Sequence, residues 1–171
     1  MEFYTEPERR LPVSACADVI VAGAGPAGCA AAIAAARAGA KTILVEQFNC
    51  VGGMATGGMM SHFTGGTESP LFDEIEARVR SEKAGVFCPD QGAGPQEINH
   101  EVLKKVLFDM LAEAGVTLRL YTFVCGAVMD GNTVKGIITE SKSGRSVMTA
   151  KVVIDATGDG DVAAKAGAEF H

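Results

Sequence analysis

The chain has 171 residues, 47% hydrophobic and 21% charged, with 15 Lys and Arg against 21 Asp and Glu for a net charge of −6. That length suits one domain or two small ones, and the apolar share supports a packed core and excludes a disordered chain. The acidic balance and the lack of a basic run argue against a nucleic-acid partner, whose phosphates call for clustered Lys and Arg.

Residues 1–17 read as a polar lead-in, ordered only in part and ending in Leu11-Pro12-Val13. Asp18–Ala22 follows as a short β-branched strand of the type buried on both faces. Gly23-Ala-Gly-Pro-Ala-Gly28 turns the chain, with Pro26 at a first helical position. An Ala-rich helix then runs to about Ala38 and stops at Gly39. Thr42–Val45 is a second buried strand, closed by Glu46, which completes a βαβ unit with a right-handed crossover. Val19–Ala36 is uncharged over 18 residues, but Pro26 interrupts its Ala and Gly content and Asp18 and Arg37 bracket it, so it does not read as a membrane span. Arg9-Arg10 ahead of this Gly-punctuated stretch does not read as an export signal.

Gly- and Met-rich loop continues to Gly66. Ser69-Pro70 opens a helix with Leu71, Phe72, Ile75 and Val79 on one face, ending near Gly85, and Gly92–Pro95 is a further breaker. Asn99 caps a helix whose apolar stripe runs from Val102 to Ala114, and Gly115 ends it. Val116–Tyr121 reads as a strand. A meander follows: Val124–Asp130, a Gly131-Asn132 turn, Val134–Ser141, a Ser143-Gly144 turn and Arg145–Ala150. Val152–Asp155 returns to the buried-strand type, then come Ala156-Thr-Gly-Asp-Gly-Asp161 and a short helix over Val162–Ala166. Cys16, Cys29, Cys50, Cys88 and Cys125 lie at irregular spacings without a CxxC or Cys/His cluster, which fits free thiols in a reducing cytosol and gives no metal site.

A GxGxxG alone is weak, but here a strand precedes it, a helix follows, and Glu46 closes the next strand 18 residues after Gly28. Gly23 permits the tight turn, Gly25 lets the backbone approach a pyrophosphate, and Gly28 lets helix and strand pack closely. The free N–H groups of the first helical turn, including Ala27, suit phosphate oxygens. Glu46 would accept hydrogen bonds from ribose hydroxyls and repel a 2′-phosphate. The plainer alternative is a structural turn with Glu46 solvated at a strand end.

Asp18–Gly28, Gly39–Glu46, Val51-Gly-Gly-Met-Ala-Thr56 and Val152–Asp161 together resemble the FAD-dependent oxidoreductases of the glutathione-reductase-like superfamily. The resemblance touches most of residues 18–167 and is weakest over about 60–98. It implies a Rossmann-like α/β domain over residues 18–171 with a parallel central sheet, a three-stranded antiparallel β-meander insertion, and FAD as cofactor. The implied cofactor-binding residues are Gly23, Gly25, Pro26, Ala27, Gly28, Glu46, Gln47, Gly52, Gly53, Met54, Val124, Ala156, Thr157, Gly158 and Asp159. Asp161 reads instead as a helix N-cap. The redox cysteine pair that disulfide reductases of this superfamily carry after the second glycine pair is missing, since Cys50 precedes Gly52 and has no near partner.

With FAD bound, hydride or electron transfer to a small-molecule substrate belongs to the flavin. No catalytic acid or base is identified: His62 lies near the cofactor loops but reads as a surface or packing residue, His100 as an exposed first-turn residue, and His171 is the last. Family members continue well beyond the Ala156–Asp161 segment, so the expectation is a partial enzyme that binds FAD weakly without turnover. The missing substrate domain would come from a companion chain, with a homo-oligomer as the alternative. An NAD-linked dehydrogenase domain explains Gly23–Glu46 but gives Gly52-Gly53 and Ala156–Asp161 no task. A non-catalytic dinucleotide-binding module is the second rival.

Overall fold

The computed structural model describes residues 2–60, 69–83 and 98–169. His62, Gly85, Cys88 and the Gly92–Pro95 breaker lie outside them, and the second helix, expected to end near Gly85, ends at Ser81. Six strands, β1 (Val13–Ala22), β2 (Thr42–Val45), β3 (Thr117–Arg119), β4 (Phe123–Asp130), β5 (Thr133–Ser141) and β6 (Gly144–Asp155), form one sheet in the order β3-β2-β1-β6-β5-β4. The pairs from β3 to β6 are parallel, and β6-β5 and β5-β4 are antiparallel. The helices are α1 (Pro26–Arg37), α2 (Pro70–Ser81), α3 (His100–Glu113) and the short α4 (Asp161–Lys165). This is a Rossmann-like mixed α/β fold.

Two strands differ from the sequence reading. β1 begins at Val13, inside the stretch read as a lead-in, because Val13–Ala17 pair with Val147–Ala150 of β6, and the Val147 N–H donates to the Pro12 carbonyl at 2.9 Å. Small residues such as Ser14, Ala15 and Ala17 carry little strand signal; a partner some 130 residues away supplies it. The third meander strand and the last core strand are also one element. The first half of β6 pairs antiparallel with β5 and its second half parallel with β1, so exposed Lys151 marks no break.

Alternation along β1 and β2 feeds two cores. Val21 and Leu44 point to one face and pack with Ile33 of α1, Val79 of α2, and Leu103, Leu107 and Met110 of α3. Ile20, Ala22, Ile43 and Val45 point to the other and pack with Val124, Ile137, Met148 and Val162. Burying such a Leu or Ile is worth about 1.5–3 kcal/mol, so both faces hold the sheet. The register levels the strand ends: Ala22 lies beside both Val45 and Asp155. Gly23, Glu46 and Ala156 therefore leave the sheet side by side, where α1 after β1 and α4 after the neighbouring β6 lie on opposite faces. In open α/β sheets this is where ligands bind.

Asn99 caps α3 as read, its side chain accepting from the N–H groups of Glu101 and Val102. Ion pairs link the three larger helices: Arg37 of α1 with Glu74 of α2, Arg78 with Glu74, and Arg78 with Glu113 of α3. The Arg37 guanidinium, with Arg78 behind it, holds the Glu74 carboxyl down at about 2. A depressed carboxyl stabilises the fold above its unfolded value of 4.5 and ceases to as pH falls toward 2. Because these groups are partly exposed, Glu74→Gln is expected to cost no more than about 1 kcal/mol near neutral pH, and less at high salt. The difference in melting temperature between wild type and variant should close between pH 4.5 and 2. A difference that persists at pH 2 would refute the assignment.

Candidate dinucleotide-binding site

Three loops lie above the ends of β1, β2 and β6, and the first two meet at one residue, Ala24. Ala24 is fully buried; its N–H donates to Glu46 Oε2 at 2.7 Å, and its carbonyl accepts from the Gly52 N–H at 2.7 Å and the Cys29 thiol at 3.3 Å. The Gly23 N–H donates to Val45, and the Ala156 N–H donates to Ala22 at 2.8 Å. The glycines differ in task. Gly23 has φ +93, and a Cβ there would lie 2.4 Å from the Ala156 carbonyl oxygen. A Cβ on Gly28 would lie 1.8 Å from the Gly23 carbonyl oxygen, so this residue sets the approach of α1 to the sheet. Gly25 has an ordinary backbone conformation (φ −66), and a Cβ on it would meet nothing within 4 Å. Among the described residues nothing requires glycine at 25, and a Cβ there would enter open space.

Below this open cradle α1 begins. The Cys29 N–H makes the first helical bond, to Gly25, which leaves the N–H groups of Gly25, Ala27 and Gly28 unused by the helix, and Pro26 has none to waste. The loops enclose a cavity of about 600 Å³. Of the residues expected to hold a cofactor, Gly23, Gly25, Pro26, Ala27, Glu46, Gln47, Gly53, Met54, Val124, Ala156, Thr157 and Gly158 line it. Gly28 and Gly52 stand behind the wall as packing residues, a Cβ on Gly52 being 2.4 Å from the Thr56 methyl.

Asp159 and Asp161 trade places relative to the sequence reading. The turn through Gly158 and Gly160, both at positive φ, leaves Asp159 exposed and away from the wall, and brings Asp161 to it. Gly160, not Asp161, is the N-cap of α4. Asp155, for which no role is expected from its sequence position, organises this turn. Its Oδ1 accepts from the Thr157 hydroxyl at 2.7 Å and the Thr157 N–H at 3.2 Å, and its Oδ2 accepts from the Ala163 N–H at 2.9 Å. The Thr157 hydroxyl oxygen in turn accepts from the Asp161 N–H at 2.9 Å. Burial alone would push the Asp155 carboxyl up, but these hydrogen bonds outweigh it and hold it below the usual range. Asp followed two residues later by Thr after a strand was the available signal.

The Glu46 carboxylate is buried, and Oε1 accepts from the Phe48 N–H at 2.9 Å. A carboxylate offers about four lone-pair positions, so two remain for ligand hydroxyls. No Lys, Arg or His lies among the described residues of the wall, so the positive potential there comes from the free amides and the dipole of α1. Sequence reasoning missed Phe48, Thr122 and Phe123, which also line the cavity. His100, read as exposed, is half-buried, with Nδ1 3.2 Å from the Ala55 carbonyl oxygen. Cys16, Cys29, Cys50 and Cys125 are free, and burial pushes the Cys29 thiol up to about 12, leaving it unreactive at neutral pH. Among the described residues there is no cluster that could hold a metal and no helix long and apolar enough to cross a membrane.

A loop of this form at a switch point defines a dinucleotide-binding enzyme fold. Residues 18–171 match the profile of the FAD dependent oxidoreductases, and the chain belongs to that family, whose cofactor is FAD. It is 30% identical over 183 aligned positions to the thiamine thiazole synthase of Aeropyrum pernix, covering 98% of this chain and 62% of that protein. It is 38% identical over 93 positions to the fumarate reductase (cytochrome) of Shewanella frigidimarina, covering 53% of this chain and 15% of the relative. The structure of Thermovibrio ammonificans THI4 superimposes with a TM-score of 0.69 at 22% identity, over 88% of this chain and 61% of that one. The chain thus spans less than two thirds of each of these relatives.

The contrast between two glycines tests the site. Gly28→Ala should destabilise the protein by about 3 kcal/mol or more, because the clash is with backbone. Gly25→Ala should melt close to wild type while FAD binding, followed by flavin fluorescence, weakens about tenfold or more. Unchanged FAD affinity in Gly25→Ala would remove the cradle from the site.

Proposed function

We propose that this chain forms the ADP-binding part of an FAD-dependent oxidoreductase acting on a small-molecule substrate. The observation that carries this reading is the open cradle at Gly25, bordered by free helix-terminal amides and a buried carboxylate. The amides of Gly25 and Ala27 bind the pyrophosphate, and Gly53 forms the opposing wall, where a Cβ would lie 2.9 Å from the Gly25 Cα. Glu46 accepts from the ribose hydroxyls with its two remaining lone-pair positions. It is held by Ala24 and Phe48, so it keeps its direction without a ligand. Thr157 and Asp161 face the cavity from the β6 side and are placed to accept from hydroxyls further along the cofactor. FAD supplies hydride or electron transfer when bound, and the protein's part is to position it. The relatives act on dissimilar molecules by name, so the reaction's substrate is not assigned from them.

Protein stripped of ligand and then given FAD should shift and sharpen the flavin absorbance bands, and Glu46→Gln should weaken FAD about tenfold by removing a charged acceptor. Wild type should also bind ADP better than its analogue with an added 2′-phosphate, and Glu46→Gln should narrow that gap. No spectral change with FAD, and no binding of ADP by calorimetry, would overturn the reading.

A further inference from the structure

We propose that Phe48 and Phe123 form an aromatic clamp that takes the purine of the dinucleotide and makes the site select adenine over smaller bases. The inference rests on reading the cavity as a dinucleotide site. Phe48 and Phe123 are the aromatic side chains among its described lining residues, and they are 61% and 48% exposed. Leaving two phenyl rings open costs apolar burial, and a flat ring entering between them would recover it.

Their place follows from the order of groups along the cavity. The free amides of α1 mark the pyrophosphate and Glu46 marks the ribose, so the base lies beyond Glu46, away from α1. Phe48 stands there, its N–H on the Glu46 carboxylate. The segment after β3 runs beside it: the Thr122 N–H donates to the Glu46 carbonyl at 2.9 Å, and the Tyr121 N–H donates to the Phe48 carbonyl at 3.1 Å. Tyr121 has φ +50, a conformation that a non-glycine residue adopts only when its surroundings impose it. That turn delivers Phe123 to the first position of β4, beside Val124. In the other direction from the amides the wall is built of Gly53, Met54, Gly57 and Gly58, with no flat partner for a base.

Stacking on an aromatic side chain is worth a factor of about 5 to 150 per base, and a purine offers a larger face than a pyrimidine. ADP and UDP share the ribose and diphosphate and differ only in the base, so calorimetric titration with both isolates the clamp. Wild type is expected to prefer ADP by about tenfold. Phe48→Ala and Phe123→Ala should each weaken ADP about 5- to 50-fold, leave UDP far less affected and bring the two close to parity. Because both rings are exposed, melting temperatures should stay near wild type; Phe48→Leu and Phe123→Leu, which keep apolar volume but no ring, give the same readout if an alanine variant proves unstable. Variants that retain wild-type ADP affinity and preference would overturn the clamp and leave the dinucleotide reading standing. Wild type that binds neither nucleotide would overturn both.

Discussion

The Ala24 peptide is the point on which the site depends. Its N–H and carbonyl join β1 to the acid ending β2, to the second glycine pair and to the first turn of α1. Buried polar groups of this kind are costly to leave unpaired, so the glycine loop, the segment after β2 and the start of α1 are fixed as a set. The Glu46 carboxylate serves twice. It pairs a buried amide of the glycine loop and keeps spare lone pairs directed at the cavity. The Ala24 N–H is thereby spent inside the protein, and on the proposed reading phosphate is left to the amides at and after Gly25.

The charge of the site follows the same economy. On the proposed reading an acidic chain takes a dianionic pyrophosphate without a lysine or arginine among the described residues of the wall. Fixed amides at a helix N-terminus supply the positive potential without a flexible side chain to order. The opposite end of the cavity is set by Asp155, which closes the Thr157–Asp161 turn from below and never reaches the wall.

Much of this was readable in the residues. The β-branched runs at 19–21 and 42–45, the glycine loop and Glu46 identify the βαβ unit because local propensity, turn chemistry and spacing agree there. The capping of α3 by Asn99 is likewise a local effect. The exchange of Asp159 for Asp161 was not readable, since two left-handed glycines decide between them and sequence does not say which way such a turn opens. The aromatic pair was equally hidden, because Phe48 and Phe123 are 75 positions apart and only the bonding of residues 46–48 to 121–122 brings them to one wall.

Local chemistry in the chain determined the elements and the dinucleotide loop, since each rests on contacts within a few residues or on a spacing along one βαβ unit; the cofactor class came from the family resemblance carried by Gly52-Gly53 and Ala156–Asp161. Tertiary structure decided where β1 begins, that β6 serves two sheet partners, and which side chains face the cavity. Those outcomes depend on pairings more than 100 residues apart and on the direction of turns at positive φ, neither of which leaves a periodic trace in the sequence.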